Sequence, residues 1–351
     1  MTKDDFRAAA AEAGFALCRF AAAGPAPHAA ALDRWLEDGC HGGMAWMDRT
    51  RAERGNPELL LPGVRTVIVL AVNYFHPDLP PPQDGGVRGR IARYAWGDDY
   101  HEIIGPRLAA LCRLLSERGG SQRHFVDGGP VLERDWADAC GVSWHGKSTM
   151  AINPSLGTWF FLATILTTLE FAPDDALPDR CGRCTRCIEA CPTAAITAPY
   201  RLDARRCLSY LTIENKGPIP EEFRRPMGDR IFGCDDCLEA CPWNRFAAAS
   251  RDARLRPRTA MLQRPLREYL DLDNRGFKEL FRDSPILRAK RRGFLRNVCV
   301  ALGNVGREED VLALTRALDD PEELVREHAA WALAEIRRRA GHQPRCSTES
   351  R

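Results

Sequence analysis

The chain lacks the features that would place it in a membrane or outside the cell. Its longest strongly apolar stretch, around Trp159 to Leu166, falls far short of the ~20 residues needed to span a bilayer. The N-terminus sets Lys3 against Asp4 and Asp5 and runs into an alanine-rich amphipathic pattern, with no twin-arginine pair and no apolar signal core. A cytoplasmic protein with no membrane partner is therefore expected. No G-x-G-x-x-G stands between a strand and a helix, so the usual fingerprint of flavin or nicotinamide binding is missing. Net charge is only +2, from 50 Lys and Arg against 48 Asp and Glu, so any polarised surface must come from local segregation.

What is present is a chain of 351 residues, longer than one core usually needs, which predicts two or three domains. Hydrophobic residues at 44% supply enough apolar material to fold it. Fourteen cysteines are too few for a disulfide scaffold and many for a cytoplasmic enzyme. Eight of them fall between Cys181 and Cys241, whereas Cys18, Cys40, Cys112, Cys140, Cys299 and Cys346 are scattered. Such clustering points to metal.

Residues 1–178 read as an α/β (α+β) domain. Helices are expected near Lys3–Ala13, Ala29–Asp38 and Tyr100–Arg118, and a buried strand over Val64–Val72. A Pro/Gly loop spans Pro77–Val87, and a strand ends at Phe125–Val126. The turn Asp127-Gly128-Gly129-Pro130 then opens a helix from Val131 to about Ala139, with Pro130 suited to its first position. Pro173 and Pro178 mark a boundary, after which residues 179–245 form a cysteine-rich module. Residues 246–351 are helical and arginine-rich. There, Phe294–Gly306 aligns with Val325–Arg337 at an offset of 31, matching Ala301 with Ala332, Leu302 with Leu333 and Val305 with Ile336. This is similar to a HEAT-like repeat, the alternative being an ordinary helix pair. Arg251–Arg296 carries 14 basic and 6 acidic residues, a local excess suited to polyanions.

The strongest signal is the run Cys181, Cys184, Cys187, Cys191, Pro192, the C-x2-C-x2-C-x3-C-P spacing of two-cluster ferredoxins, in which the fourth thiolate reaches the neighbouring cubane. A second half follows with Cys207, then Cys234, Cys237, Cys241 and Pro242. Two [4Fe–4S] clusters are expected, one on Cys181, Cys184, Cys187 and Cys241, the other on Cys191, Cys207, Cys234 and Cys237. A pair of zinc sites is the rival, but zinc knuckles have no reason to end overlapping triplets in Cys-Pro.

Three other motifs were weighed. Gly141–Ser148 (GVSWHGKS) matches the P-loop pattern letter for letter, yet a helix precedes it and Asn153-Pro154 follows, so a loop beside another cofactor is the better reading. Asp99-Tyr100-His101 with Gly105 comes within one residue of the corrinoid motif D-x-H-x-x-G, and reads instead as a helix-face histidine. Asp127 is placed where loops carry chemistry on a rigid scaffold, the alternative being an N-cap for the next helix.

These cysteines, with Arg93–His101 (RYAWGDDYH), Val126–Ala137 (VDGGPVLERDWA), Gly141–Thr149 (GVSWHGKST) and Cys207–Gly217 (CLSYLTIENKG), resemble the epoxyqueuosine reductase family over nearly the whole chain. The resemblance implies a nitroreductase-like domain holding cobalamin base-off, two [4Fe–4S] clusters in relay, and a tRNA carrying epoxyqueuosine as substrate. It makes Asp127 the proton donor, also in contact with the corrinoid, which Arg51, Ser148 and Ser209 line. Lys216 falls where the family contacts tRNA, and Arg134 is placed to hold substrate. Ser148 departs from the pattern, since asparagine is commoner there.

The chemistry implied is two-electron opening of an epoxide to an alkene, needing a low-valent cobalt and one acid. An axial histidine would make cobalt harder to reduce, so the broken D-x-H-x-x-G motif accords with base-off binding. The basic C-terminal region, in particular Arg288, Lys290, Arg291 and Arg292, is expected to face the RNA backbone, and a monomer fed by a separate electron donor is expected. Rival readings are a non-catalytic ferredoxin-type electron-transfer subunit and a corrinoid reductase of reductive-dehalogenase type.

Overall fold

The computed structural model describes residues 1–80 and 85–341. Cys346 and part of the expected Pro77–Val87 loop lie outside them. The N-terminal half is built on a four-stranded sheet whose strands lie in the order Leu17–Ala22, Thr66–Asn73, Phe160–Thr167, Gln122–Phe125. Every pairing is antiparallel, with Ile68 opposite both Phe20 and Ile165. The expected strand at Val64–Val72 thus exists, starting two residues later and ending one later. Leu17–Ala22 and Phe160–Thr167 form strands that apolar runs alone did not separate from buried helix.

The reason TVIVLAV shows no polar alternation is that both faces of the sheet are covered. Ile68, Leu70 and Val72 pack with Phe6, Ala10, Ile104 and Leu108 of the helices Lys3–Glu12 and Tyr100–Ser116. Val67, Val69 and Ala71 pack on the other side with Trp136 and Ala137 of helix Glu133–Ala139. Each side chain at period 2 therefore meets a helix. Thr2 and Asp5 close a capping box on the first helix, and Asp99 caps the second by accepting the His101 N–H at 3.0 Å.

Helix Glu133–Ala139 begins later than the sequence suggested. Pro130 is not its first residue, and Leu132 at the cap makes no side-chain bond. The intervening residues instead form an irregular turn, because the Glu133 side chain reaches back to the Asp127 main chain at 3.0 Å.

In the cysteine-rich segment, the four-residue helices Arg186–Glu189 and Asp236–Glu239 each carry one ligand cysteine, Cys187 and Cys237, three residues after Cys184 and Cys234. Strand Arg230–Phe232 pairs in parallel with Arg90–Ile91, so Ile91 and Phe232 enter one core with Phe294, Val298 and Leu302 of the C-terminal helices. The long helices Lys290–Val305 and Glu323–Gly341 lie side by side and run the same way: Arg291 bonds Asp320, and Arg339 bonds the carbonyls of Gly303 and Gly306. Among the described residues no helix is long and apolar enough to cross a membrane.

Candidate active site and cluster sites

The eight clustered thiols fall into two electrostatic neighbourhoods. Cys241 feels Cys181, Cys187 and Cys184, although they lie 54 to 60 residues before it in sequence. Cys237 feels Cys207, Cys234 and Cys191. Burial pushes Cys241 up to about 11 and Cys234 up to about 12, so these sulfurs become thiolates only against a bound cation. Main-chain amides are already aimed at them: Ala195 N–H donates to Cys191 Sγ at 3.2 Å, and the amides of Tyr210 and Ser209 lower Cys207 from the value burial alone would give. Cys207 itself caps the helix Leu208–Ile213 that supplies those amides. This donor set suits iron–sulfur cubanes, which want four thiolates each and amide hydrogen bonds to sulfur. A cavity of about 300 Å³ opens beside Cys234, lined by Arg90, Arg93, Trp96, Arg230, Asp235 and Glu239 among others.

Asp127 occupies the turn between strand Gln122–Phe125 and helix Glu133–Ala139, in a left-handed conformation with φ of 53°. Its main-chain N–H is taken by Glu133 Oε2, and its Oδ2 accepts the hydroxyl of Tyr100. It therefore does not cap the following helix. Two residues on, a Cβ at Gly129 would overlap the Phe125 ring, so the turn demands glycine there. Burial, reinforced by Asp127, drives the Glu133 carboxyl well above its ordinary range, and the same two causes raise Tyr100. Tyr100 stacks on Phe161, with ring centroids 4.2 Å apart. Sequence reasoning gave Tyr100 and Glu133 no role. Their only signal was membership of two quoted blocks, Arg93–His101 for Tyr100 and Val126–Ala137, which also holds Asp127, for Glu133.

The P-loop lookalike is a β-hairpin, with Trp144–His145 paired to Ala151–Ile152. No strand–loop–helix phosphate cradle exists in it. Lys147 instead donates to the Gly182 carbonyl at 2.6 Å, docking the hairpin against the first cysteine group. Ser148 is buried beside it, and Arg134 donates to the Thr149 carbonyl at 2.8 Å. Ser143 Oγ, at the base of the hairpin, is buried with no hydrogen-bond partner. Ser209 lies half-buried two residues after Cys207. Arg51 is held by Asp33 at 2.5 Å and Glu37 at 2.8 Å. His101 is tied to Asp99 at 2.7 Å and stacked on Tyr100, as a helix-face histidine would be.

The basic region is only partly available to a ligand. Arg291 is buried against Asp320 at 3.1 Å and also donates to the Leu272 carbonyl, which removes it from the expected surface. Arg296 is fully buried, donating to the carbonyls of Leu211, Asn215 and Gly217 and so bracing the segment that carries Lys216. Lys290 and Arg292 are exposed, and Arg288 is exposed but paired with Glu214. Lys216 feels Arg288, Lys290 and Arg296, while Arg288 feels Asp127 and Tyr100. Arg288 thus borders the Asp127 turn, with Lys216 and Lys290 near it.

Comparison with known proteins agrees with this geometry. Residues 180–244 match the 4Fe-4S double cluster binding domain, and residues 54–128 match the family described as Epoxyqueuosine reductase QueG, DUF1730. Epoxyqueuosine reductase of Xanthomonas campestris is 42% identical over 335 residues, covering 94% of both chains. That of Escherichia coli K12 is 39% identical over 312 residues, covering 87% of this chain and 81% of the relative. A crystal structure of epoxyqueuosine reductase with an epoxyqueuosine-modified tRNA-Tyr stem loop superposes with a TM-score of 0.89 at 30% identity, over 95% of this chain and 90% of that one. The Bacillus subtilis enzyme, solved with its catalytic aspartate loop swung out of the active site, gives 0.86 at 30% identity and the same coverage. With a mixed α/β fold, a double-cluster domain and relatives near 40% identity along most of its length, the chain belongs to the epoxyqueuosine reductase family.

Proposed function

We propose that this protein reduces epoxyqueuosine to queuosine in tRNA, using cobalamin and two [4Fe–4S] clusters. The observation that carries the reading is the meeting of Asp127, pinned on its turn, with Arg288 and the cations next to it, Lys216 and Lys290. A carboxyl held on a surface turn beside a cationic face is what acid chemistry on a base splayed from an anticodon loop requires. A subunit that only relayed electrons would need neither feature.

In this reading Cys181, Cys184, Cys187 and Cys241 hold one cluster, and Cys191, Cys207, Cys234 and Cys237 the other. Cobalamin, when bound, supplies a strongly reducing cobalt centre for breaking the carbon–oxygen bond. Ser148 and Ser209 suit its contacts, since each stands within two residues of a group tied to a thiol site: Lys147 to Gly182, and Cys207 itself. The unpartnered Ser143 Oγ fits a polar ligand at the same place. Arg51, already held by two carboxylates, is a weaker contact than the resemblance implied. Asp127 would deliver the proton to the departing oxygen, with Tyr100 orienting its carboxyl and Arg134 holding substrate. Lys216 meets the RNA. The division into a nitroreductase-like unit 1–178, a cluster unit 179–245 and a HEAT-like unit 246–351 belongs to the same proposal. It is supported by the parallel lie of the two repeat helices. The enzyme would work in the cytoplasm as a monomer fed by a separate electron donor.

The test is conversion of epoxyqueuosine-containing tRNA, followed by mass spectrometry, with anaerobically reconstituted protein and added cobalamin. Wild type should turn over, and Asp127→Asn should lose at least about 100-fold, the scale of a general acid. Full turnover by the variant would remove Asp127 from the chemistry, and failure of wild type to bind cobalamin would defeat the reading.

A further inference from the structure

Helix Glu133–Ala139 and the hairpin after it bring together donor atoms that the reaction does not use. His28, Asp135 and His145 each offer one ligand atom, and the three atoms lie within 4.8 Å of one another. They come from three separate segments: the residue preceding helix Ala29–Glu37, the helix after the Asp127 turn, and the first strand of the hairpin. Among groups of at least three His, Cys, Asp or Glu in the described residues, this one alone is drawn together so closely.

Asp135 is 3% exposed, and a buried carboxylate needs compensation. Its Oδ2 accepts the His28 main-chain N–H at 2.9 Å, and its Oδ1 meets His28 Nδ1. The rings of His28 and His145 stand 5.5 Å apart at an interplanar angle of 73°. Two imidazoles on one tetrahedral ion, with nitrogens about 2.0–2.1 Å from the metal, place their ring centres about 5–5.5 Å apart. His145 Nδ1 is buried without a hydrogen-bond partner. Behind that ring stands Asp138, which accepts the His145 main-chain N–H at 3.2 Å and keeps its other oxygen 3.9 Å from Nδ1.

The geometry points to a mononuclear divalent metal site, two imidazoles and a carboxylate with the remaining coordination open to water, for which zinc is the fitting ion. The site is separate from the eight cluster thiols. Its ion ties the N-terminal segment at His28 to the hairpin that docks on Gly182, across the helix whose Glu133 holds the Asp127 main chain. Its role is therefore a staple beneath the catalytic turn, not a participant in reduction.

The full-length protein, with both clusters reconstituted anaerobically, is treated with a mild chelator, incubated with zinc sulfate and desalted. Zinc and iron are then measured together by mass spectrometry. One zinc per chain is expected in wild type, falling to background in His28→Gln/His145→Gln at unchanged iron content. Retained iron certifies that the variant is folded. Asp135→Asn keeps an acceptor for the His28 N–H but loses the charge, and should weaken zinc binding at least tenfold. Zinc should raise the melting temperature of wild type and leave the double variant unmoved. Equal zinc in wild type and double variant, or a wild type full of iron yet free of zinc, overturns the proposal and leaves a plain His28–Asp135 ion pair.

Discussion

Asp127 sits in a conformation that costs a non-glycine residue about 1–2 kcal/mol, and two neighbours keep it there. Glu133 holds its main chain and Tyr100 its carboxyl. Burial, then the Asp127 charge, raises the Glu133 carboxyl well above its ordinary range. The folded protein consequently keeps a proton that the unfolded chain releases near pH 4.3. The stability this group contributes is full below that pH and is lost as pH rises toward the folded value. Glu133→Gln removes the titration while keeping an acceptor for Asp127. Between pH 5 and 9 the melting temperature of reconstituted wild type should fall relative to the variant, and parallel curves would show Glu133 ionised in the fold.

At the scale of elements, the repeat detected at an offset of 31 corresponds to two helices in direct backbone contact. A Cβ on Gly303 would overlap the Trp331 ring and lie 3.0 Å from the Ala332 Cα. Gly303→Val should therefore destabilise the protein by about 1–3 kcal/mol, readable by denaturant unfolding, and a neutral result would mean that the pair is not close-packed. The second helix is also tied to the segment after Lys216. His328 Nε2 accepts the Ile219 N–H at 3.1 Å, and its Nδ1–H donates to the Leu324 carbonyl at 2.7 Å. Burial pushes this histidine down to about 4. Its contribution is complete above the unfolded value near 6.5 and is lost as pH falls toward 4. About 2 kcal/mol should disappear between pH 7 and 5, and His328→Gln should abolish that slope. Both helices were legible from period and spacing. The bond from His328 to Ile219 was not, because it joins residues 109 positions apart.

For the whole molecule, the excess of basic residues between Arg251 and Arg296 divides into structural and free charges. Arg291 and Arg296 brace the interior, whereas Lys290 and Arg292 face solvent. Lys290→Glu/Arg292→Glu should weaken binding of an epoxyqueuosine stem loop and reduce the slope of log affinity against log salt by about 1–2. An unchanged slope would remove this face from the RNA interface. Arg291→Glu should instead compromise folding, since it sets two carboxylates together in a buried place.

The sequence by itself determined the double-cluster module, the family, the central strand and the turn that carries Asp127. Each rests on local spacing: three-residue and four-residue steps between cysteines, a continuous apolar run, a short turn rich in glycine. The pairing of Cys241 with Cys181 and its neighbours was also legible, because ferredoxin spacing carries a crossing rule. Only the tertiary structure decided that the sheet is antiparallel and covered on both faces, since apolar content does not record strand direction. It alone showed which arginines are buried, that the P-loop lookalike is a hairpin, and that His28, Asp135 and His145 converge. Those facts depend on distances between residues remote in the chain, and no local pattern encodes them.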